Sequence, residues 1–358
     1  MGDVRMRRML DGAAVVAGAV VLALLLAAVH LPSPALFGGL IAGLVRALGG
    51  RGRAAVPVSA TVAAQAVIGV TMGALVDVGT LRAVAENWLA VLLVTVGTLA
   101  LSLVAGLLLR LQRGITPVTG AFSMIAGGAS GIIVMARELG ADERMVAVLQ
   151  YLRVLLIVVL MPVVATTLYG GAAGAGGAGS GGAQAWPAAL LFTAVCGLVG
   201  VTAGRLLRLP VAPLLGPMLA AAAAALTGLA HGGVPAVVQA AAFLVIGLQV
   251  GLSFTRASLR TIGRALPAAL AVIVGLIGAC AGLGALLAAA TGTSALDGYL
   301  ATTPGGLYAV LATASDSGAD TTFVLSVQVL RLFVMLLSAP LVARRLRRAG
   351  AGRPASRE

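Results

Sequence analysis

The sequence predicts an all-α integral membrane protein made of two inverted repeats, each with about five transmembrane helices plus one broken or re-entrant helix. Three features predict this: hydropathy, a duplication at a fixed offset, and arginine placement. The 358 residues are 60% hydrophobic and only 10% charged, and the mean hydropathy of +1.09 lies far above that of soluble domains. Several apolar stretches, such as Trp88 to Leu109, reach the length of about 20 residues that a helix needs to cross a bilayer. The 49 glycines suit close helix packing and interrupted helices in such a setting.

The duplication keeps one constant offset along the chain, the one that places Gly38 on Gly216. It carries Leu31-Pro32 and Leu36 onto Leu209-Pro210 and Leu214, and Ile68-Gly69 with Gly73 onto Ile246-Gly247 with Gly251. Leu81-Arg82 falls on Leu259-Arg260, Gly127-Gly128 on Gly305-Gly306, and Gly140-Ala141-Asp142 on Gly318-Ala319-Asp320. Gln150, Leu152-Arg153 and Pro162 fall on Gln328, Leu330-Arg331 and Pro340, with no gap. Apolar identities arise by chance in Ala/Gly/Leu/Val-rich sequence, whereas the polar ones do not. The organisation expected is therefore repeat 1 over 1–169, a Gly/Ala linker over 170–185, repeat 2 over 186–343 and a basic tail over 344–358. The first helix matches an internal segment beginning near Trp186, so it is expected to stay in the mature protein although it resembles a signal peptide.

Each repeat offers six apolar elements, at 12–30, 34–48, 56–75, 88–109, 115–136 and 145–169 in the first copy. The fifth is interrupted by Ala126-Gly127-Gly128-Ala129-Ser130-Gly131 and, in the second copy, by Thr302-Thr303-Pro304-Gly305-Gly306. Broken backbone is tolerated at membrane depth only where protein or a wet cavity satisfies it. If the fifth element re-enters and the other five cross, the copies are inverted and both termini are cytoplasmic. All 24 basic residues are arginines, and this topology leaves only Arg82 outside and only Arg153 and Arg331 within the membrane, in keeping with the cytoplasmic excess of basic residues.

Gln150 and Arg153 lie three apart on the sixth element and share a face, and Gln328 with Arg331 repeats the pair. Each arginine sits about 13 Å from the nearer polar end at 1.5 Å per residue, a depth that makes it a candidate functional group. The alternative is an arginine that snorkels or caps a broken-helix carbonyl. Candidate substrate-binding residues are Arg153, Arg331, Gln150, Gln328, Gly127, Gly128, Ser130, Thr303, Gly305 and Gly306. Glu138 and Asp142, matched by Asp316 and Asp320, are candidates for pairing with the arginines or for proton or cation coupling, with helix N-capping as the alternative. Gly69/Gly73 and Gly247/Gly251 have small-xxx-small spacing that suits helix contact.

Other chemistry is poorly supplied. His30 and His231 are the two histidines and lack metal-ligand spacing; with no lysine there is no phosphate loop, and no nucleophile–base set is evident. No catalytic residue, metal or cofactor is expected. The net charge of +13 is spread over short loops, which argues against direct nucleic-acid binding. Cys196 and Cys280 read as buried thiols in apolar segments.

These spaced motifs, from Leu31-Pro32 and Gly38 through Gly127 to Arg153, Leu209 to Gly216, and Thr303-Pro304-Gly305-Gly306 to Gln328 and Arg331, resemble the AbrB family of duplicated bacterial membrane proteins, which is distinct from the soluble DNA-binding regulator of that name. The resemblance implies an inner-membrane location. Family members carry an ammonia monooxygenase label, for which the residues offer no ligand cluster, and a label as regulators of the expression of AidB, an acyl-CoA-dehydrogenase-like stress protein. The expectation is secondary transport of a small, anionic solute, with a membrane-embedded regulator acting indirectly or through a partner as the alternative. The bilayer and an unidentified solute are the expected partners, and a homo-oligomer is compatible.

Overall fold

The computed structural model describes residues 2–28, 33–49, 54–76, 78–112, 115–125, 136, 140–169, 186–209, 211–228, 233–254, 256 and 263–351. Among these residues the chain is helical, with no strand. In chain order the helices are α1 (Gly2–Ala28), α2 (Pro34–Leu48), α3 (Val58–Ala74), α4 (Val78–Glu86), α5 (Trp88–Leu109), α6 (Pro117–Met124) and α7 (Glu143–Thr167). They continue as α8 (Trp186–Leu206), α9 (Ala212–Leu226), α10 (Ala236–Leu252), α11 (Leu266–Thr291), α12 (Ala295–Thr302), α13 (Leu307–Ser317) and α14 (Thr321–Ala351). Segments of α1, α5, α7, α8 and α11 are long and apolar enough to cross a membrane. Their outward faces are greasy: Leu24, Leu191, Leu198 and Leu286 are each more than 60% exposed, a surface that water would penalise and lipid accepts. This is a helical membrane protein.

Local sequence sets the helix ends. Pro34 and Pro117 occupy the first turns of α2 and α6, where the missing N–H costs nothing. Thr116 caps α6 by accepting from the Thr119 N–H at 3.1 Å, and Ser294 with Asp297 forms a reciprocal capping box on α12. α4, between Leu75 and Asn87, is an element that the apolar pattern does not announce, because it is short and mixes polar with apolar types. Boundaries recur: α2 and α9, α3 and α10, and α6 and α12 begin and end at the offset of the duplication.

The chain divides into two compact units, each drawing on both halves of the sequence. The first comprises 1–86, 158–256 and 306–325. In it α1 lies antiparallel to α2, for Asp11 accepts from Arg46 Nε at 3.0 Å while Ala19 and Ala23 meet Gly38 further along. α2 runs parallel to α10: Gly39 abuts Leu244, Gly43 abuts Leu248, Gly247 abuts Leu36 and Gly251 abuts Leu40. α3 runs parallel to α9 in the same manner, with Gly69 against Leu214 and Gly73 against Met218. At each of these glycines a Cβ would run into backbone of the facing helix, so the spacing read as helix contact serves that purpose. At the ends of these helices, Arg256 Nε donates to Leu48 O at 2.6 Å, and Thr322 Oγ1 donates to Leu75 O at 2.9 Å.

The second unit comprises 87–157, 257–305 and 326–358. α5 packs on α6 through Gly106 and Gly120, and α11 packs on α12 through Gly284 and Gly298. α5 and α11 also pack on each other. Val118, Phe122, Ile125, Ala136, Val146 and Met335 form a buried apolar cluster. The short helices α6 and α12 are thus held against α5 and α11 inside this unit.

Candidate functional site

Both short helices end in the second unit with extended backbone, at Ile125 and at Thr303. The fifth element of the second copy is broken over 303–306, with Gly305 at φ +133° and Gly306 at φ +68°, a conformation that glycine adopts at little cost. A helix that stops in an apolar interior leaves its last carbonyls without partners. The glutamine and arginine three residues apart on α7 and α14 supply them.

On α7, Gln150 Nε2 donates to Phe122 O at 2.7 Å and to Ile125 O at 3.4 Å, and Arg153 Nη1 donates to Met124 O. On α14, Gln328 Nε2 donates to Leu300 O at 2.7 Å and to Thr303 O at 3.4 Å. Arg331 Nη1 donates to Thr302 O at 3.3 Å and to Thr303 O, and its Nη2 donates to Gln328 Oε1. The acceptors on the two sides are counterparts in the duplication, Phe122 with Leu300, Met124 with Thr302 and Ile125 with Thr303. Cations at a helix C-terminus are stabilised by the dipole, so the capping alternative is realised in part: the Nη groups hold the broken ends.

Capping leaves charge over. All four side chains are at most 4% exposed. Among the described residues no carboxylate pairs with either arginine, and both Nε atoms are buried without a hydrogen-bond partner. Gly305 lies beside Arg153, such that a Cβ there would stand 3.2 Å from Nε. Arg331 stands on the carbonyls of Thr302 and Thr303 and Arg153 beside Gly305, so both positive charges meet at the same break.

The structure thus gathers Gln150, Arg153, Thr303, Gly305, Gln328 and Arg331. The Thr303 hydroxyl turns back to its own helix, donating to Tyr299 O at 2.8 Å, and Gly306 is the left-handed N-cap of α13 in the first unit. Three of the proposed pairing acids have other partners. Asp142 caps α7 by accepting from the Arg144 and Met145 N–H groups at 3.0 and 3.1 Å, and Asp320 caps α14 by accepting from the Phe323 N–H at 2.9 Å. Asp316 lies in the first unit, where it accepts from the N–H and hydroxyl of Ser33 at 2.6 and 3.0 Å. Gly127, Gly128, Ser130 and Glu138 lie outside the described residues.

Two neighbours escape a reading of the sequence alone. Thr302 Oγ1 donates to Cys280 O at 2.8 Å and to Gly298 O at 2.9 Å, tying α12 to α11. Ser102 on α5 is the counterpart of Cys280 on α11 in the duplication, and its fully buried hydroxyl has no partner among the described residues. The available signal is one small polar residue at the same register of two otherwise apolar helices.

The sequence profile of the family described as "Transition state regulatory protein AbrB" matches residues 35–347. The chain is 37% identical over 317 residues, 88% of its own length and 91% of the relative's, to a protein of Escherichia coli (strain K12) named "Putative regulator AbrB". It is 26% identical over 290 residues, 77% and 76% of the two lengths, to "Uncharacterized protein YhjN" of Bacillus subtilis (strain 168). With the profile and the Escherichia coli relative both spanning most of its length, the chain belongs to the AbrB family.

Proposed function

We propose that the protein is a secondary transporter of a small anionic solute, built from two inverted repeats over 1–169 and 186–343 in the bacterial inner membrane with both termini cytoplasmic. One observation carries the functional reading. Two deeply buried guanidiniums without a carboxylate partner among the described residues sit at the ends of two interrupted helices. Intramembrane charge is costly and is retained where a solute path needs it, and helix interruptions near the midplane are where inverted-repeat transporters build their sites.

The inversion is supported by packing directions. α10 is the sequence counterpart of α3, yet it runs parallel to α2. If α2 and α3 are successive crossings they run oppositely, so counterparts in the two copies run oppositely as well. The Arg256–Leu48 hydrogen bond agrees, since it sets the end of α10 beside the end of α2. Cysteines introduced at Gly49 and Arg256 should be labelled by an impermeant thiol reagent from the cytoplasmic face, and one at Ser180 from the other. Labelling of Ser180→Cys and Arg256→Cys from one face would end the inverted reading.

Transport itself is tested in proteoliposomes loaded with candidate carboxylates and oxyanions. Counterflow in the wild type that persists unchanged in both Arg153→Ala and Arg331→Ala would remove these residues from the mechanism. The name of the Escherichia coli relative favours a second reading, a membrane-embedded regulator acting through a partner. Deleting the tail from Arg344 onward separates the two: lost regulation with intact flux supports the regulator.

A further inference from the structure

The site described above can be taken one step further, to the chemistry of its ligand, and this step rests on reading that site as the place where solute binds. Three of the four buried polar side-chain atoms that lack partners among the described residues lie in the second unit: Ser102 Oγ, Arg153 Nε and Arg331 Nε. Buried donors are almost always satisfied, because an orphan forfeits its hydration without return. The arginines do not lack acceptors for want of local carbonyls. Their Nη groups already take Met124 O, Thr302 O and Thr303 O, while the Nε of each has no partner among the described residues.

Charge leads to the same ligand. Two guanidiniums contribute two positive charges, and the C-termini of α6 and α12 offset roughly half a charge each. Among the described residues about one positive charge is therefore left without a counter-charge, in a region screened from water. A halide accepts from several donors at one centre, whereas an oxyanion sets separate oxygens on donors held apart on two helices, as these two N–H groups are on α7 and α14. We infer that the ligand is a small oxyanion with two or more acceptor oxygens, a carboxylate or its phosphate or sulfate analogue. It is received by the Nε–H groups of Arg153 and Arg331 and the hydroxyl of Ser102 while the Nη groups stay on the helix ends. Ser102 belongs to the set because its hydroxyl is buried without a partner among the described residues and its counterpart Cys280 lies beside the end of α12, where its carbonyl accepts from Thr302 Oγ1.

The experiment uses the purified full-length protein in detergent and four probes: acetate, sulfate, chloride and acetamide. Binding is followed by calorimetry and by the shift in thermal midpoint. One or both oxyanions bind at least tenfold more tightly than chloride, and acetamide does not bind. Ser102→Ala weakens oxyanion binding about three- to tenfold, yet it leaves the ligand-free midpoint unchanged or higher, because it removes an unsatisfied buried hydroxyl. A purely structural serine would give the opposite midpoint shift and no change in affinity. Arg153→Lys and Arg331→Lys keep the charge but lose Nε, and each weakens oxyanion binding tenfold or more. Chloride or acetamide binding as well as the oxyanions, or no oxyanion binding to the wild type, overturns the inference. Oxyanion binding without counterflow leaves it standing and sinks transport alone; counterflow of a solute that is not an oxyanion does the reverse.

Discussion

Gly73→Ala will cost about 3 kcal/mol of stability, at the upper end of what overpacking a tight interface costs, and will reduce the recovery of monodisperse protein. The added methyl has nowhere to go. A Cβ at Gly73 meets the carbonyl oxygen of Met218 and the Cβ of Ala221 on α9, and backbone, unlike the end of a long side chain, cannot swing aside. Gly251→Ala should cost a similar amount, since its Cβ meets Leu40 O and the Gly43 Cα on α2. Gly278→Ala is the control: it makes the same chemical change inside α11, where nothing lies within 4 Å, and helix propensity alone should make it neutral or stabilising by up to about 1 kcal/mol. Thermal midpoints of the three variants in one detergent decide the matter. Equal midpoints for Gly73→Ala and Gly278→Ala would mean that α3 and α9 do not approach as closely as this.

The small-residue spacing on α3 and α10 is legible in the sequence because periodicity places Gly69 with Gly73, and Gly247 with Gly251, on one stripe. Which helix meets each stripe is not legible. α2 finds α10 and α3 finds α9 in the opposite half of the chain, and a one-dimensional pattern carries no partner identity. Gln150 and Arg153 are conspicuous as polar residues three apart in an apolar run, and their counterparts double the signal. That their Nη and amide groups cap the ends of α6 and α12 follows from where those helices stop. The break over Thr303 to Gly306 is readable from Pro304 and the paired glycines; the earlier stop at Ile125, ahead of any glycine, is not. Asp142 and Asp320 announce themselves as acids at a helix start, and N-capping is the role the geometry gives them. Ser33 is harder: at φ +56° it turns its N–H and hydroxyl to Asp316, and no sequence rule joins two residues so far apart in the chain. Ser102 and Cys280 look inert because each is small and surrounded by apolar neighbours. Only the end of α12 beside Cys280 gives the position a use.

Removing the two arginines should separate stability from function. Arg331 donates to Thr302 O, Thr303 O and Gln328 Oε1, whereas among the described residues Arg153 donates to Met124 O. Each carbonyl left without a donor in a buried site costs about 1–3 kcal/mol, and relief from burying the charge returns part of that. Arg331→Ala should therefore lower stability by about 2–4 kcal/mol, and Arg153→Ala by at least the roughly 1 kcal/mol of its Met124 contact, read from chemical denaturation in detergent. Solute contact is separate from capping, because each arginine offers an Nε–H without a partner among the described residues. Deleting one partner of a buried, charge-assisted contact costs about 2–5 kcal/mol, so flux per folded molecule should fall by roughly 30-fold or more in both variants. If flux per folded molecule instead stayed near normal in both variants while stability fell, the guanidiniums would be helix caps and the solute would have to be recognised elsewhere.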